Sequence, residues 1–449
     1  MGTDTVREQA ADDAAERRRE QRGWYFYDWA CSVYSTSVLT VFLGPYLTSV
    51  AKAAADAEGF VHPLGIPLRA GSFFAYCVSA SVILSIFVMP LAGAAADRTG
   101  RKKPLLAVAA YLGAAATAGM FFLDGDRYLL GGLLLIVANA SLAVSMVLYN
   151  SYLPQIAPPE ERDAVSSRGW AFGYAAGALV LVANLILYTA HDTFGVSETT
   201  AVRICLASAG IWWGAFTLIP LKRLRDRRSA TSSGTSAHGW RQLAATVRDM
   251  RRQPLTLAFL LAYLVYNDGI QTVISQASVY GSEELGLDQS TLIVAVLLVQ
   301  LLAVAGALGM GRLARTYGAK RTILGSLVAW TVTLGAGYFL PAGAPVWFFV
   351  LAAGIGLVLG GSQALSRSLF SHLVPPGKEA EYFSAYEMSD RGMSWLGPLL
   401  FGLTYQLTGS YRDAIISLVA FFVLGFVLLA RVPVRQAVRD AGNPVPDRI

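Results

Sequence analysis

The chain has 449 residues, of which 54% are hydrophobic and 15% charged, with a formal net charge of +6. Soluble proteins carry about 25% charged residues, so the composition excludes an ordinary water-soluble fold and makes lipid the solvent. The apolar residues come in continuous blocks of roughly 20 or more, long enough for a helix to cross a hydrocarbon core, which excludes a membrane β-barrel with its short alternating segments.

In chain order, residues 1–23 are polar, with Asp12, Asp13, Glu16, Arg17, Arg18 and Arg19, and read as a cytoplasmic tail rather than a cleavable signal. Six apolar spans follow: Trp24 to Val50, Ala70 to Ala96, Pro104 to Phe122, Tyr128 to Leu153, Arg168 to Ala190 and Thr200 to Leu221. Residues 222–253 form a linker, with a Ser/Thr/Gly-rich stretch from Ser229 to Gly239. Beyond it, Trp240, Leu243, Ala244, Val247 and Met250 repeat at helical spacing among Arg241, Arg248, Arg251 and Arg252, the pattern of a helix lying on a bilayer surface. A calmodulin-type or nucleic-acid site is the alternative for this basic stretch; the bilayer is the simpler partner.

Six more spans run Leu255 to Tyr280, Ser290 to Gly311, Arg321 to Leu340, Pro345 to Phe370, Glu381 to Leu407 and Arg412 to Arg431, with a tail over 432–449. The predicted fold is therefore an all-α membrane protein of twelve transmembrane helices. Residues 24–221 and 254–431 form two six-helix bundles. Internal similarity supports a duplication. Gly93 to Lys103 has a counterpart in Gly311, Gly318, Lys320 and Arg321, and Pro158-Pro159 with Arg168-Gly169 has one in Pro375-Pro376 with Arg391-Gly392. Parallel six-helix repeats place a site between the halves.

Lys and Arg residues number 29 on the side that carries both tails and five on the other, with Arg367 and Arg391 inside spans. By the positive-inside rule both termini are cytoplasmic. Arg outnumbers Lys 30 to 6, a bias expected of a bacterial protein from a GC-rich genome, and hence of a bacterial cytoplasmic membrane. Cys31, Cys77 and Cys205 lie within spans and read as small core residues, and His62, His191, His238 and His372 are scattered in or beside loops and read as solvated. With no metal-spaced cluster and no phosphate-binding Gly-Lys-Ser loop, no metal, no cofactor and no enzymatic activity are expected.

The loop Gly93-Ala-Ala-Ala-Asp97-Arg98-Thr-Gly100-Arg101-Lys102-Lys103 resembles the signature that the major facilitator superfamily places between its second and third helices. Gly93 permits close helix approach, Gly100 a tight turn, and Asp97 can face a helix N-terminus or a cation. The second copy has Arg315 in place of Asp97, which puts a matching gate in doubt there. Further segments resemble the branch of vacuolar amino-acid effluxers linked to autophagy and its bacterial relatives. They are Tyr27-Asp28-Trp29-Ala30, Tyr149 to Pro154, Ser166 to Trp170, Tyr266 to Thr272 and Ser362 to Arg367, with Cys31 where that branch has asparagine. The resemblance implies that helices one, four, seven and ten line a cavity, and that the cargo is a metabolite such as an amino acid.

Ionisable groups in hydrocarbon are costly and mark functional positions. Substrate or proton candidates are Asp28, Tyr34, Asn150, Asp268, Gln271, Gln363 and Arg367, with Asn139 also in span four. Asp28 and Asp268 are the carboxyls that could take an ammonium group or a proton, and Arg367 could take a carboxylate. Gating candidates are Gly93, Asp97, Arg98, Gly100, Arg101, Arg168, Glu387, Asp390 and Arg391. A competing reading joins Arg367 to this set, as ion pairs that close the cytoplasmic end and touch no substrate. Together these features predict a monomeric secondary or facilitative transporter of a small solute, with protons as a candidate coupling ion. Efflux of a drug or another metabolite, and a non-transporting sensor or scaffold with the same fold, are the alternatives. Nucleic acid is not an expected partner.

Overall fold

The computed structural model describes residues 2–227, 248–391 and 396–449. Among these, ten helices are long and apolar enough to cross a membrane. They are α1 (Ala14–Ala53), α2 (Phe73–Thr99), α3 (Lys102–Phe122), α4 (Tyr128–Ile156), α5 (Pro159–Thr189), α6 (Glu198–Arg223), α7 (Pro254–Ala277), α8 (Thr291–Tyr317), α10 (Pro345–Ser371) and α12 (Tyr411–Arg431). The ninth span is the 20-residue α9 (Ala319–Tyr338), and the eleventh, α11, comprises Glu379–Arg391 and Leu396–Thr408. The twelve-helix fold is thus present. Its buried apolar side chains form two main clusters: one within residues 24–224, joined by Ala380, and one within residues 250–438.

Three segments depart from expectation. Helix begins at Gly2 and runs into α1, so the predicted N-terminal tail continues the first span. Ala, Glu, Arg and Gln in this stretch are strong helix formers that a hydropathy reading overlooks. Glu20 and Gln21 are buried at its end, where Gln21 donates to the Ile156 carbonyl at 3.0 Å. The 432–449 tail folds too: Val434–Asp440 is helical and buries Val434, Ala437 and Val438. The loop after α1 carries a small antiparallel hairpin, Phe60–Val61 with Leu68–Arg69. The Ser229 to Gly239 linker and Trp240, Arg241, Leu243, Ala244 and Val247 of the amphipathic stretch lie outside the described residues.

Close helix contacts explain several glycines. A methyl group at Gly306 or Gly360 would run into the carbonyls of Leu357 and Ala303, so α8 and α10 pack backbone to backbone. Small residues let helices associate in lipid, where no hydrophobic force drives them together. The two halves meet in the same way: a Cβ on Gly93 of α2 would sit 2.6 Å from the Ala380 carbonyl of α11, and one on Gly311 of α8 would overlap Ser167 of α5. Within α1, Tyr34–Phe42 winds as a π-type stretch, a feature frequent at functional sites.

Candidate functional site

A cavity of about 650 Å³ lies between the halves, its wall built from α1, α2, α4 and α5 on one side and α7, α8, α10 and α11 on the other. Ser32, Ser35, Thr36, Thr40, Gln271, Ser275 and Gln300 give it a polar stripe. Leu39, Val82, Leu142, Val299, Ile355 and Leu359 give it apolar walls. Its charged lining is Asp28, Arg367, Glu387 and Asp390. Asp28, Asn139, Asn150, Gln271, Gln363, Arg367, Glu387 and Asp390 of the sequence candidates all line this one cavity, from helices of both halves.

Arg367 organises the charged end. Its side chain is 1% exposed, and its Nη1 lies 3.2 Å from Asp28 Oδ2 across the boundary between the halves. Nη1 also donates to Asn150 Oδ1 at 3.3 Å, Nε to Ser166 Oγ at 2.9 Å and Nη2 to the Ser166 carbonyl at 2.9 Å. The guanidinium stands over the rings of Trp24, Tyr149 and Trp170, at 4.7, 5.6 and 5.3 Å from their centroids. Asp28 Oδ2 receives a second bond from the Tyr149 hydroxyl at 2.6 Å. A buried charge pair is tolerated only with such full hydrogen bonding. Gly169 makes room for it, since a Cβ there would come within 2.7 Å of Asp28 Oδ2 and 3.0 Å of Arg367 Nη2.

Glu387 accepts from Asn150 Nδ2 at 2.7 Å, a bond between the halves that does not involve Arg367. Asp390 accepts from the Tyr263 hydroxyl at 2.9 Å and from Asn267 Nδ2 at 2.7 Å, while Gln363 donates to Asn267 Oδ1 at 2.9 Å. Arg391 lies on α11, and its side chain is outside the described residues.

Nearer the ends that carry the tails, Lys102 bridges Asp97 Oδ1 at 3.3 Å and Glu379 Oε2 at 3.2 Å. Asp97 Oδ2 accepts the Glu381 N–H at 2.9 Å, at the start of α11. Gly100 takes a positive φ of 62° and turns the chain so that Lys102 points inward. Arg98 and Arg101 remain exposed, as does Arg168. Arg162 adds a further bond across the halves, from Nη1 to the Ser371 carbonyl at 2.8 Å.

Other candidates lie elsewhere. Tyr34 is fully buried in the first bundle, 5.7 Å from the Trp213 ring, and Asp268 faces α11 rather than the cavity. Cys31, read as a core residue, is buried but forms part of the cavity wall. His372, expected to be solvated, is 2% exposed with Nδ1 3.5 Å from Arg162 Nη1. Burial and the neighbouring guanidinium hold its pKa well below the usual histidine value. Sequence reasoning had not singled out Lys102, Arg162, Ser166 or Glu379; Lys102 and Ser166 lay inside quoted motifs, whereas Arg162 and Glu379 carried no distinguishing signal.

The same architecture occurs in solved structures of major facilitator transporters. The outward-conformation fucose transporter FucP superposes with a TM-score of 0.68 at 12% identity, over 92% of this chain and 98% of that one. The proton:xylose symporter XylE gives 0.68 at 15% identity, over 94% and 96%. These likenesses establish the major facilitator fold. A family model described as "Vacuole effluxer Atg22 like" matches residues 16–442. YxiO of Bacillus subtilis (strain 168), an MFS-type transporter, is 30% identical over 92% of this chain and 95% of its own length. Autophagy-related protein 22-1 of Aspergillus niger is 25% identical over 96% and 91%. The fold and the relatives define an integral membrane transporter of the major facilitator superfamily, not an enzyme. Within that class, the chain belongs to the Atg22-like vacuole effluxer family.

Proposed function

We propose that this protein is a secondary transporter that exports an amino acid or a closely related metabolite by alternating access, coupled to protons. The observation that carries this reading is the 650 Å³ cavity, closed at one end by bonds that join the two halves. A sensor that had lost transport would gain nothing from a cavity of that size with a polar stripe. The mixed lining suits a small solute with a charged head and an apolar side chain. Asp28, Arg367, Glu387 and Asp390 provide opposite charges for an ammonium and a carboxylate group, and Leu142, Val299, Ile355 and Leu359 provide an apolar surface.

The excess of Lys and Arg on the side of the tails makes that side cytoplasmic. The conformation is then one in which the cytoplasmic end is shut by Asp28–Arg367, Asn150–Glu387 and the Asp97–Lys102–Glu379 bridge. On this reading Asp28 and Arg367 alternate between each other and the solute. The chain works as a monomer in a bacterial cytoplasmic membrane. The test is uptake of radiolabelled amino acids into proteoliposomes with and without an imposed pH gradient. Gradient-dependent uptake supports the reading; a folded protein that moves no amino acid in either condition contradicts it and favours the sensor alternative.

A further inference from the structure

Asp268 is unlike the other buried carboxylates of the transmembrane region. Asp28 has Arg367 and the Tyr149 hydroxyl, Asp97 has Lys102, Glu387 has the Asn150 amide, and Asp390 has Tyr263 and Asn267. Asp268 is 2% exposed, and its Oδ2 accepts one bond, from the Gly397 N–H at 2.7 Å. Its Oδ1 has no hydrogen-bond partner. Among the described residues no cation and no second carboxylate acts on it. The groups around it are Gly397 on α11, Thr272 on its own helix, whose hydroxyl donates to the Asp268 carbonyl at 2.7 Å, and Phe421 and Phe422 of α12 against the adjacent Gly269.

Gly397 lies in the described stretch Leu396–Thr408 of α11, and its N–H ties Asp268 to that helix through one oxygen. A full negative charge at this depth, with a single amide opposite and no cation, is costly in hydrocarbon, and the neutral acid removes that cost while its second oxygen still accepts from Gly397. The described stretch Glu379–Arg391 carries Glu387 and Asp390 at the cavity, and Asp390 accepts from Asn267, the chain neighbour of Asp268. Asp268 itself does not line the cavity, although Gln271 and Ser275, further along α7, do.

Building on the proton-coupled reading above, we propose that Asp268 is the proton-binding site and that it acts on the solute site through the bonds between α7 and α11, without touching the solute. In the present conformation Asp268 holds a proton. It loses that proton when α11 shifts and the carboxylate gains water or another donor. Proton and solute thus occupy separate places linked by the bonds that Asn267 and Asp268 of α7 make to Asp390 and Gly397, so a solute need not carry or displace the proton itself.

Two measurements test this, the first independent of any solute. Infrared difference spectra of the purified protein between neutral and high pH should show the carbonyl stretch of a protonated carboxyl at neutral pH. The band should be absent from both Asp268→Asn and Asp268→Ser and retained in Asp28→Asn. The serine variant keeps a hydroxyl oxygen that can accept from the Gly397 N–H, which guards against a variant that fails to fold. In proteoliposomes supplied with a mixture of radiolabelled amino acids, a pH gradient should drive accumulation by the wild type. In both Asp268 variants accumulation should fall to the level seen without a gradient. A band that persists in both Asp268 variants overturns the assignment, as does gradient-driven accumulation by both. If the wild type moves no amino acid, the transport reading fails, and the infrared arm still decides whether Asp268 holds a proton.

Discussion

Replacing Arg367 with glutamine removes the group that ties the closed end of the cavity together, and the size of the effect follows from its contacts. The guanidinium bonds Asp28, Asn150, the Ser166 hydroxyl and the Ser166 carbonyl, and it covers three aromatic faces. Without it Asp28 keeps the Tyr149 hydroxyl and no cation. Removing one partner of a buried ion pair costs about 3–5 kcal/mol. Because Asp28 and Arg367 belong to different halves, most of that cost falls on the conformation in which this end is shut, and little on the folding of either bundle. At about 1.4 kcal/mol per factor of ten, the population of this conformation relative to its opposite should fall by about two to three and a half orders of magnitude. Spin labels at positions 99 and 316, both exposed and on opposite halves, report it by distance measurement in a background without the three native cysteines. The distribution should shift to longer separations in Arg367→Gln and in Asp28→Asn. The double variant should recover part of the loss, with a coupling of about 1–3 kcal/mol. Unchanged distances in Arg367→Gln, or two effects that add within about 0.5 kcal/mol, would refute the reasoning.

Three further outcomes follow from single contacts. Gly169→Ala places a methyl group 2.7 Å from Asp28 Oδ2 and should weaken the same closed end by about 1–3 kcal/mol through overpacking, read by the same labels; a neutral effect would mean that the pair has room to spare. Lys102→Met leaves Asp97 and Glu379 without their shared cation in the closed end and should weaken that conformation by about 3–5 kcal/mol, read by the same labels, whereas Arg101→Gln should shift it by less than about 0.5 kcal/mol. Equal effects of the two would show that Lys102 is not the bridge. His372 is neutral in the folded state because burial and Arg162 hold its pKa well below that of an exposed histidine. As pH falls below about 6.5 the unfolded chain binds a proton that the folded chain cannot, so stability drops by up to about 1.4 kcal/mol per pH unit. His372→Gln should therefore lose less melting temperature than the wild type between pH 7 and pH 5, and identical slopes would contradict the buried neutral ring.

Much of this architecture was legible in the sequence, because hydrocarbon makes a severe demand on each span and the apolar blocks answer it. The polar start of α1 was not, since helix propensity and side-chain contacts, rather than hydropathy, hold Glu20 and Gln21 in place. The cavity residues were legible as intramembrane polar groups, and eight of those named do converge. Their pairing was not, because Asp28 and Arg367 lie far apart in the chain and nothing local sets the register between the halves. Facing was equally hidden in two places. Three consecutive basic residues follow Gly100, and only its left-handed turn decides that Lys102 goes inward while Arg101 stays in solvent. In α7 the polar stripe straddles two faces, so Gln271 and Ser275 reach the cavity while Asp268 and Thr272 turn to α11.

The central claim is that the cavity opens alternately to the two sides of the membrane, and cysteine accessibility tests it most directly. Ser35 is exposed in the cavity wall, and a cysteine there, with the native cysteines removed, can be offered a membrane-impermeant thiol reagent from either side of an oriented proteoliposome. The account predicts reaction from the side opposite the tails in the present conformation. It also predicts reaction from the side of the tails once Arg367→Gln releases the closed end. Labelling from one side alone in both proteins would contradict it.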